Sequence, residues 1–161
     1  MVGGTFSPFH AGHRRLLERT FALAGRNGEV VIGLTTDEFA GRKRHPVMPF
    51  AGRRRVLEEF IRGCGTSAQW VIHPLSDRFG PAVEDDFDAL VVSEETAAVA
   101  QEINRIRKEQ GRRKVDIHQI ACVFAEDGRW ISSTRILAGE IDPEGHIVKG
   151  KERGKGKKRR E

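Results

Sequence analysis

Val30-Val31-Ile32-Gly33-Leu34 is an apolar run with no polar residue inside it. A half-exposed strand alternates apolar and polar positions, whereas an unbroken run of five asks for apolar neighbours on both faces. A strand inside a parallel sheet, covered by helices above and below, meets that demand. The remaining segments agree. Met1-Val2 reads as a very short first strand, and residues 13–24 as a helix with Leu16, Leu17, Phe21 and Leu23 on its apolar side and Gly25 near its end. Residues 41–49 form a cationic, proline-containing loop, and 50–62 a second helix. Strands are expected at 69–75, at 88–93 and within 115–124, with a long helix over 94–110 and a short one beginning at 131–137. This alternation predicts an α/β fold, a Rossmann-like five-stranded parallel sheet with helices on both faces, as a single domain over residues 1–148.

In such sheets ligands sit beyond the carboxyl ends of the strands, where the strand order switches. The first turn falls there: Gly3-Gly4-Thr5-Phe6-Ser7-Pro8-Phe9-His10-Ala11-Gly12-His13. It reads as a strand end, a glycine turn and a helix start with two histidines at the junction. A helix N-terminus carries unpaired N–H groups and partial positive charge, so it attracts phosphate. Gly12 is expected to let a nucleotide approach the helix closely. A metal pair at His10 and His13 finds no further ligand nearby in sequence, and no metal site on protein side chains is expected.

Ser132-Ser133-Thr134, ahead of Arg135, offers more hydroxyls than one helix cap needs. A second phosphate grip is expected there, on the β- and γ-phosphates opposite His13, with Arg135 on the same anion or paired with Glu140. Residues 1–148 hold seventeen arginines and three lysines, Lys43, Lys108 and Lys114. Where this body needs only surface charge it uses arginine, so Lys43 stands out. A compact ammonium suits a point contact to a reacting phosphate.

The net charge of +5 is unevenly placed, because residues 149–161 alone carry +6 and the rest is near neutral. That tail has no apolar residue and is expected to be disordered. Cys64 and Cys122 read as small buried hydrophobes. No leader sequence is expected at the start and no apolar stretch is long enough to cross a bilayer, so a cytoplasmic protein is expected.

Thr5-Phe6-x-Pro8-x-His10-x-Gly12-His13 after a strand resembles the signature of the nucleotidyltransferases that share a fold with class I aminoacyl-tRNA synthetases. The 131–136 segment is similar to their second motif. Lys43-Arg44-His45-Pro46-Val47-Met48-Pro49, Arg53, Val92-Ser93-Glu94-Glu95-Thr96 and Gly139-Glu140-Ile141-Asp142 narrow the likeness to the phosphopantetheine adenylyltransferase family of archaeal and eukaryotic type, over roughly residues 1–148. The resemblance implies adenylyl transfer from ATP to 4′-phosphopantetheine, with Mg²⁺ accompanying the ATP. It implies that Thr5 and His10 orient the α-phosphate or acceptor, that His13 stabilises the transferring group and that Lys43 bridges the two. Gly4, Phe6, His13 and residues 132–135 would hold ATP, and Ser93, Glu95 and Thr96 the nucleotide. Arg53 contacts the substrate phosphate or is one of three exposed arginines with Arg54 and Arg55. Asp77 borders the pantetheine arm or turns the chain. The family's bacterial branch has an arginine after its fourth strand where this chain reads Val92-Ser93-Glu94; Arg105 and Arg107 are the arginines at hand to replace it. Two alternatives stay open. Another acceptor (nicotinamide mononucleotide, flavin mononucleotide or glycerol 3-phosphate) would use the same triphosphate grip, and a nucleic-acid binding module would use the tail for weak, non-specific contact.

Overall fold

A computed structural model describes residues 1–43 and 45–148; the tail expected to be disordered lies outside the described residues. Five parallel strands, β1 (Val2–Gly4), β2 (Glu29–Thr35), β3 (Gln69–Leu75), β4 (Ala89–Ser93) and β5 (Asp116–Ile120), form one sheet in the order β3-β2-β1-β4-β5. The order reverses at β1, so the switch point lies between β1 and β4. The apolar run is β2, most deeply buried on one face, where Val30, Ile32 and Leu34 are at most 1% exposed. On the other face Gly33 is buried against Leu75 and Val31 is only partly buried.

Two helices cover one face. Leu16, Leu17 and Phe21 of α1 (Ala11–Ala24) and Leu57 and Ile61 of a later helix (Phe50–Gly63) pack with Val2, Val30, Ile32 and Val91. Between them in sequence is a four-residue helix the apolar pattern did not reveal, α2 (Asp37–Ala40), which makes the Phe50–Gly63 helix α3. The signal was polar: Thr36 accepts the Phe39 N–H at 3.2 Å, and Asp37 and Glu38 complement the helix start. On the second face Ala100 and Ile103 of α4 (Ala97–Glu109) pack with Ala82, Leu90 and Val115. This helix starts three residues later than expected because residues 93–96 close a turn, Thr96 N–H to Ser93 C=O at 3.1 Å. A third, smaller cluster joins Ala125, Ile131 and Ile141 near α5 (Ser133–Leu137).

Two expectations change here. Arg107 does not reach the ligand end; it is fully buried and donates to the carbonyls of Ala82, Asp85 and Arg113, while Arg105 pairs with Glu109 on the surface. Cys64 is exposed as the C-cap of α3 rather than buried, and both cysteines are free thiols. Among the described residues no helix is long and apolar enough to cross a membrane.

Candidate active site

β1 delivers Gly4 to the ligand end of the sheet, and the chain then turns through Phe6, whose φ of +53° lies in the left-handed region that non-glycine residues rarely adopt. Such strain persists only where surroundings over-determine it. Phe6 is 2% exposed, its ring fills the space that a Cβ on Gly4 would need, and it packs tilted on His13 at 5.1 Å. α1 begins two residues earlier than expected, because His10 itself is the N-cap: its Nδ1 accepts the Gly12 N–H at 3.1 Å. In a neutral imidazole an accepting Nδ1 leaves the proton on Nε2. Gly12 therefore has a different reason from the expected one. A Cβ there would lie 3.0–3.1 Å from the His10 ring, so the glycine protects the cap first.

The His10 and His13 rings stack with centroids 3.7 Å apart. Burial, with Arg14 adding repulsion, lowers the His10 pKa to about 4; burial and then its cationic neighbours, including His10 and Lys43, push His13 well below its ordinary value. Both rings are neutral near pH 7. His13 Nδ1 is buried without a hydrogen-bond partner in the protein. A buried polar atom left unpaired costs stability, of order 1–3 kcal/mol, and sites that tolerate the cost are commonly ligand sites.

These side chains line a cleft of about 190 Å³ together with Thr5, Phe6, Lys43, Ser93, Glu95, Ser132, Ser133 and Thr134. Four segments distant in sequence thus converge on one place. Lys43 is exposed at the cleft mouth, where partial desolvation lowers its pKa, partly offset by Glu95. Ser132 caps α5, accepting the Arg135 N–H at 3.4 Å. His45, Cys122 and the stretch Ile120-Ala121 also line the cleft, and none was singled out in sequence. His45 carried the signal of lying two residues from Lys43 in the same loop; Cys122 carried none.

Five expected residues lie outside the cleft wall: Gly4, which lines an adjoining cavity, and Arg53, Arg135, Asp77 and Thr96. Arg53 is neither exposed nor in the cleft wall: it is 1% exposed beneath the first turn. Its guanidinium donates to Met48 C=O (2.6 Å), Thr5 C=O (3.3 Å), Thr35 C=O (2.8 Å) and Asp37 Oδ1 (2.7 Å). It ties the turn after β1, the end of β2 and the exit of the Lys43 loop into one unit; Ser7 Oγ, accepting the Met48 N–H at 3.1 Å, adds a second tie. Arg135 is not in the cleft wall but borders the adjoining pocket that shares Glu95 and Ser132 with it. It pairs with Glu140 (2.9 Å) and Asp127 (2.5 Å), as the Glu140 alternative expected. Asp77 turns the chain, accepting the Phe79 and Gly80 N–H groups. Thr96 accepts the Ser93 N–H.

Gly4, Asp77 and Thr96 line a second cavity, about 180 Å³, whose other walls are mostly apolar: Val2, Leu75, Phe79, Val92, Val99 and Ile103 among them. It adjoins the polar cleft, for Gly4 lines one and Thr5 the other. Among the described residues no group of three or more His, Cys, Asp or Glu side chains could hold a metal ion.

Comparison with known proteins establishes the family. The cytidylyltransferase-like family matches residues 1–139. A phosphopantetheine adenylyltransferase from Methanothermobacter thermautotrophicus is 50% identical over 99% of this chain and 94% of its own length. Another from Methanosarcina barkeri is 46% identical over 92% and 91%. A crystal structure of an Archaeoglobus fulgidus protein of unknown function superposes with a TM-score of 0.67 at 34% identity, covering 74% of this chain and 86% of that one. The chain belongs to the cytidylyltransferase-like family and, within it, to the archaeal phosphopantetheine adenylyltransferases.

Proposed function

We propose that the chain transfers the adenylyl group of ATP to 4′-phosphopantetheine, giving dephospho-coenzyme A and pyrophosphate. A terminal oxygen of the acceptor phosphate forms the new bond to the α-phosphorus, and the bond from that phosphorus to the β-bridging oxygen breaks, with pyrophosphate leaving in line. A phosphate monoester is a competent nucleophile near pH 7, so the protein's task is positioning and charge stabilisation.

The observation that carries the reading is the pairing of cavities: a polar cleft rich in anion-binding groups opens beside an apolar one at the same sheet end. The triphosphate suits the first. The acceptor's long arm, with its dimethyl carbon, amides and thiol, suits the second better than a charged nicotinamide or a short glycerol would. With the acceptor phosphate at the junction, Thr5 and His10 orient it, and Lys43 bridges it to the α-phosphate. His13 donates to the transferring group, its neutral ring able to take up positive character as charge builds. Ser132, Ser133 and Thr134 hold the leaving pyrophosphate, and Arg53 keeps the Thr5 turn and the Lys43 loop in register.

Mg²⁺ would arrive on the triphosphate and neutralise part of its charge; Glu95, the one carboxylate among the described residues lining the cleft, is the protein group suited to it. ATP and phosphopantetheine place the enzyme in the cytosol. The test is product identification. Incubation with ATP, Mg²⁺ and 4′-phosphopantetheine should yield dephospho-coenzyme A and stoichiometric pyrophosphate by mass spectrometry, and absence of that product with folded protein would refute the reading.

A further inference from the structure

The turn Asp142-Pro143-Glu144-Gly145-His146 lines neither cavity, yet it is bonded to both walls of the polar cleft. One carboxylate closes it. Asp142 Oδ1 accepts the N–H groups of Glu144 and His146, both at 2.9 Å, and Oδ2 meets His146 Nδ1 at 2.9 Å. The backbone completes the ring, with Asp142 N–H to His146 C=O at 2.9 Å and Gly145 N–H to Asp142 C=O at 3.0 Å.

On one side the turn holds α1. The Pro143 carbonyl accepts the N–H of Ala11, first residue of that helix, at 2.9 Å, and Glu144 pairs with Arg14 less than a turn further on. Ala11 lies between His10 and His13. On the other side it holds the chain that leads into Ser132. The Gly145 carbonyl accepts the Glu126 N–H at 2.9 Å, and Glu126 Oε2 accepts the Ile147 N–H at 2.9 Å. Gly145 has φ +92°, and a Cβ there would lie 2.6 Å from Ile131 Cδ1 and 3.1 Å from Ala125 Cα, so the backbone rests directly on that wall. Ile141, 1% exposed, enters the turn from the cluster with Ala125 and Ile131, against which Ala11 and Ile136 also pack.

We propose that this turn is a strap that fixes the spacing between the His10–His13 wall and the Ser132–Thr134 wall, with Asp142 as its positioning residue. A triphosphate held from both sides depends on that spacing, because a shift of about 1 Å in a reacting group can cost a hundredfold. The apolar cavity is built from β1, β3, β4 and α4 and has no lining residue in the strap. Loosening the strap therefore weakens triphosphate binding most, because the acceptor meets the His10 wall only through its phosphate and keeps the apolar cavity for its arm. This rests on the assignment of the polar cleft to the triphosphate made above.

The experiment measures dissociation constants for Mg²⁺–ATP, pyrophosphate and phosphopantetheine separately, with thermal unfolding of each unliganded variant. Asp142→Ala and Gly145→Ala should each weaken ATP and pyrophosphate by about tenfold or more, and phosphopantetheine, whose arm keeps the apolar cavity, by no more than about threefold. Asp142→Asn keeps an oxygen for both N–H groups and should stay within about threefold of the parent for ATP. Should the alanine variants fail to fold, Asp142→Ser, which retains one acceptor, should display the same split more mildly. Equal loss for all three ligands, or unchanged ATP and pyrophosphate binding in a folded Asp142→Ala protein, would overturn the strap. Parent protein that binds ATP and pyrophosphate but not phosphopantetheine would overturn the acceptor instead, leaving the strap to be judged on its own ligands.

Discussion

The polar cleft and the apolar cavity meet at the Gly4-Thr5 peptide and are nearly equal in volume, yet they are built on opposite terms. In the cleft, two imidazoles and an ammonium are partly or wholly desolvated, and burial pushes each towards its neutral form. One imidazole nitrogen is left unpaired. Desolvating these groups is unfavourable for the empty protein, and an anion in the cleft would offset that cost. The apolar cavity carries no such debt. Its walls are mostly branched and aromatic side chains, and its polar members Thr35, Asp77, Arg78 and Thr96 are all paired within the protein. On the proposed assignment, catalysis and acceptor choice are separated in space.

The largest effect that separates the two regions is expected from His13→Ala. It should lower kcat for pyrophosphate release by on the order of a hundredfold, with the KM for phosphopantetheine little changed. Near-parental kcat would remove His13 from the reaction. Lys43→Ala is expected to cost at least about tenfold in kcat, since its proposed role is to bridge acceptor and α-phosphate. From the other side, Val99→Phe projects a ring into the apolar cavity and should raise the phosphopantetheine KM by about tenfold while ATP affinity holds. A variant that instead lost ATP would show the cavities to be one site.

A smaller effect concerns pH. His10 titrates near pH 4 in the folded chain against an ordinary 6.5, and His13 is depressed too. As pH falls below 6.5 the unfolded chain takes up protons the folded one refuses. Stability of the unliganded protein therefore declines between 6.5 and about 4, and is insensitive to these groups above 7. Thermal midpoints of the parent and of His10→Asn across that window check this: the asparagine variant should lose less, and an identical decline would exonerate His10. The smallest effect is expected from truncation after Val148, which removes the +6 segment and should leave kcat within about twofold.

The cleft was far more legible in the sequence than the cavity, for a physical reason. Glycine turns, helix starts and hydroxyl runs are local, so His10, His13 and Ser132 to Thr134 announce themselves within short stretches. The lone early lysine was legible by contrast with its arginine-rich background. The cavity instead is a composite of Val2, Leu75, Val92, Val99 and Ile103, each an ordinary core residue in its own segment, and only the sheet order β3-β2-β1-β4-β5 brings them together. Arginines were misread for a related cause. Nothing local distinguishes Arg53, buried against four carbonyl and carboxylate oxygens, from exposed Arg54 and Arg55 beside it. Likewise the role of Gly12 in sparing the His10 cap depends on a side chain folding back two residues, which spacing alone does not reveal.

The central claim is that the two cavities together select ATP and a long, largely apolar phosphate acceptor. Its most direct test is kcat/KM for pyrophosphate release from ATP with phosphopantetheine, nicotinamide mononucleotide, flavin mononucleotide and glycerol 3-phosphate in parallel. The account predicts that phosphopantetheine exceeds each of the others by about a hundredfold or more. Comparable or faster release with any of the other three would contradict it.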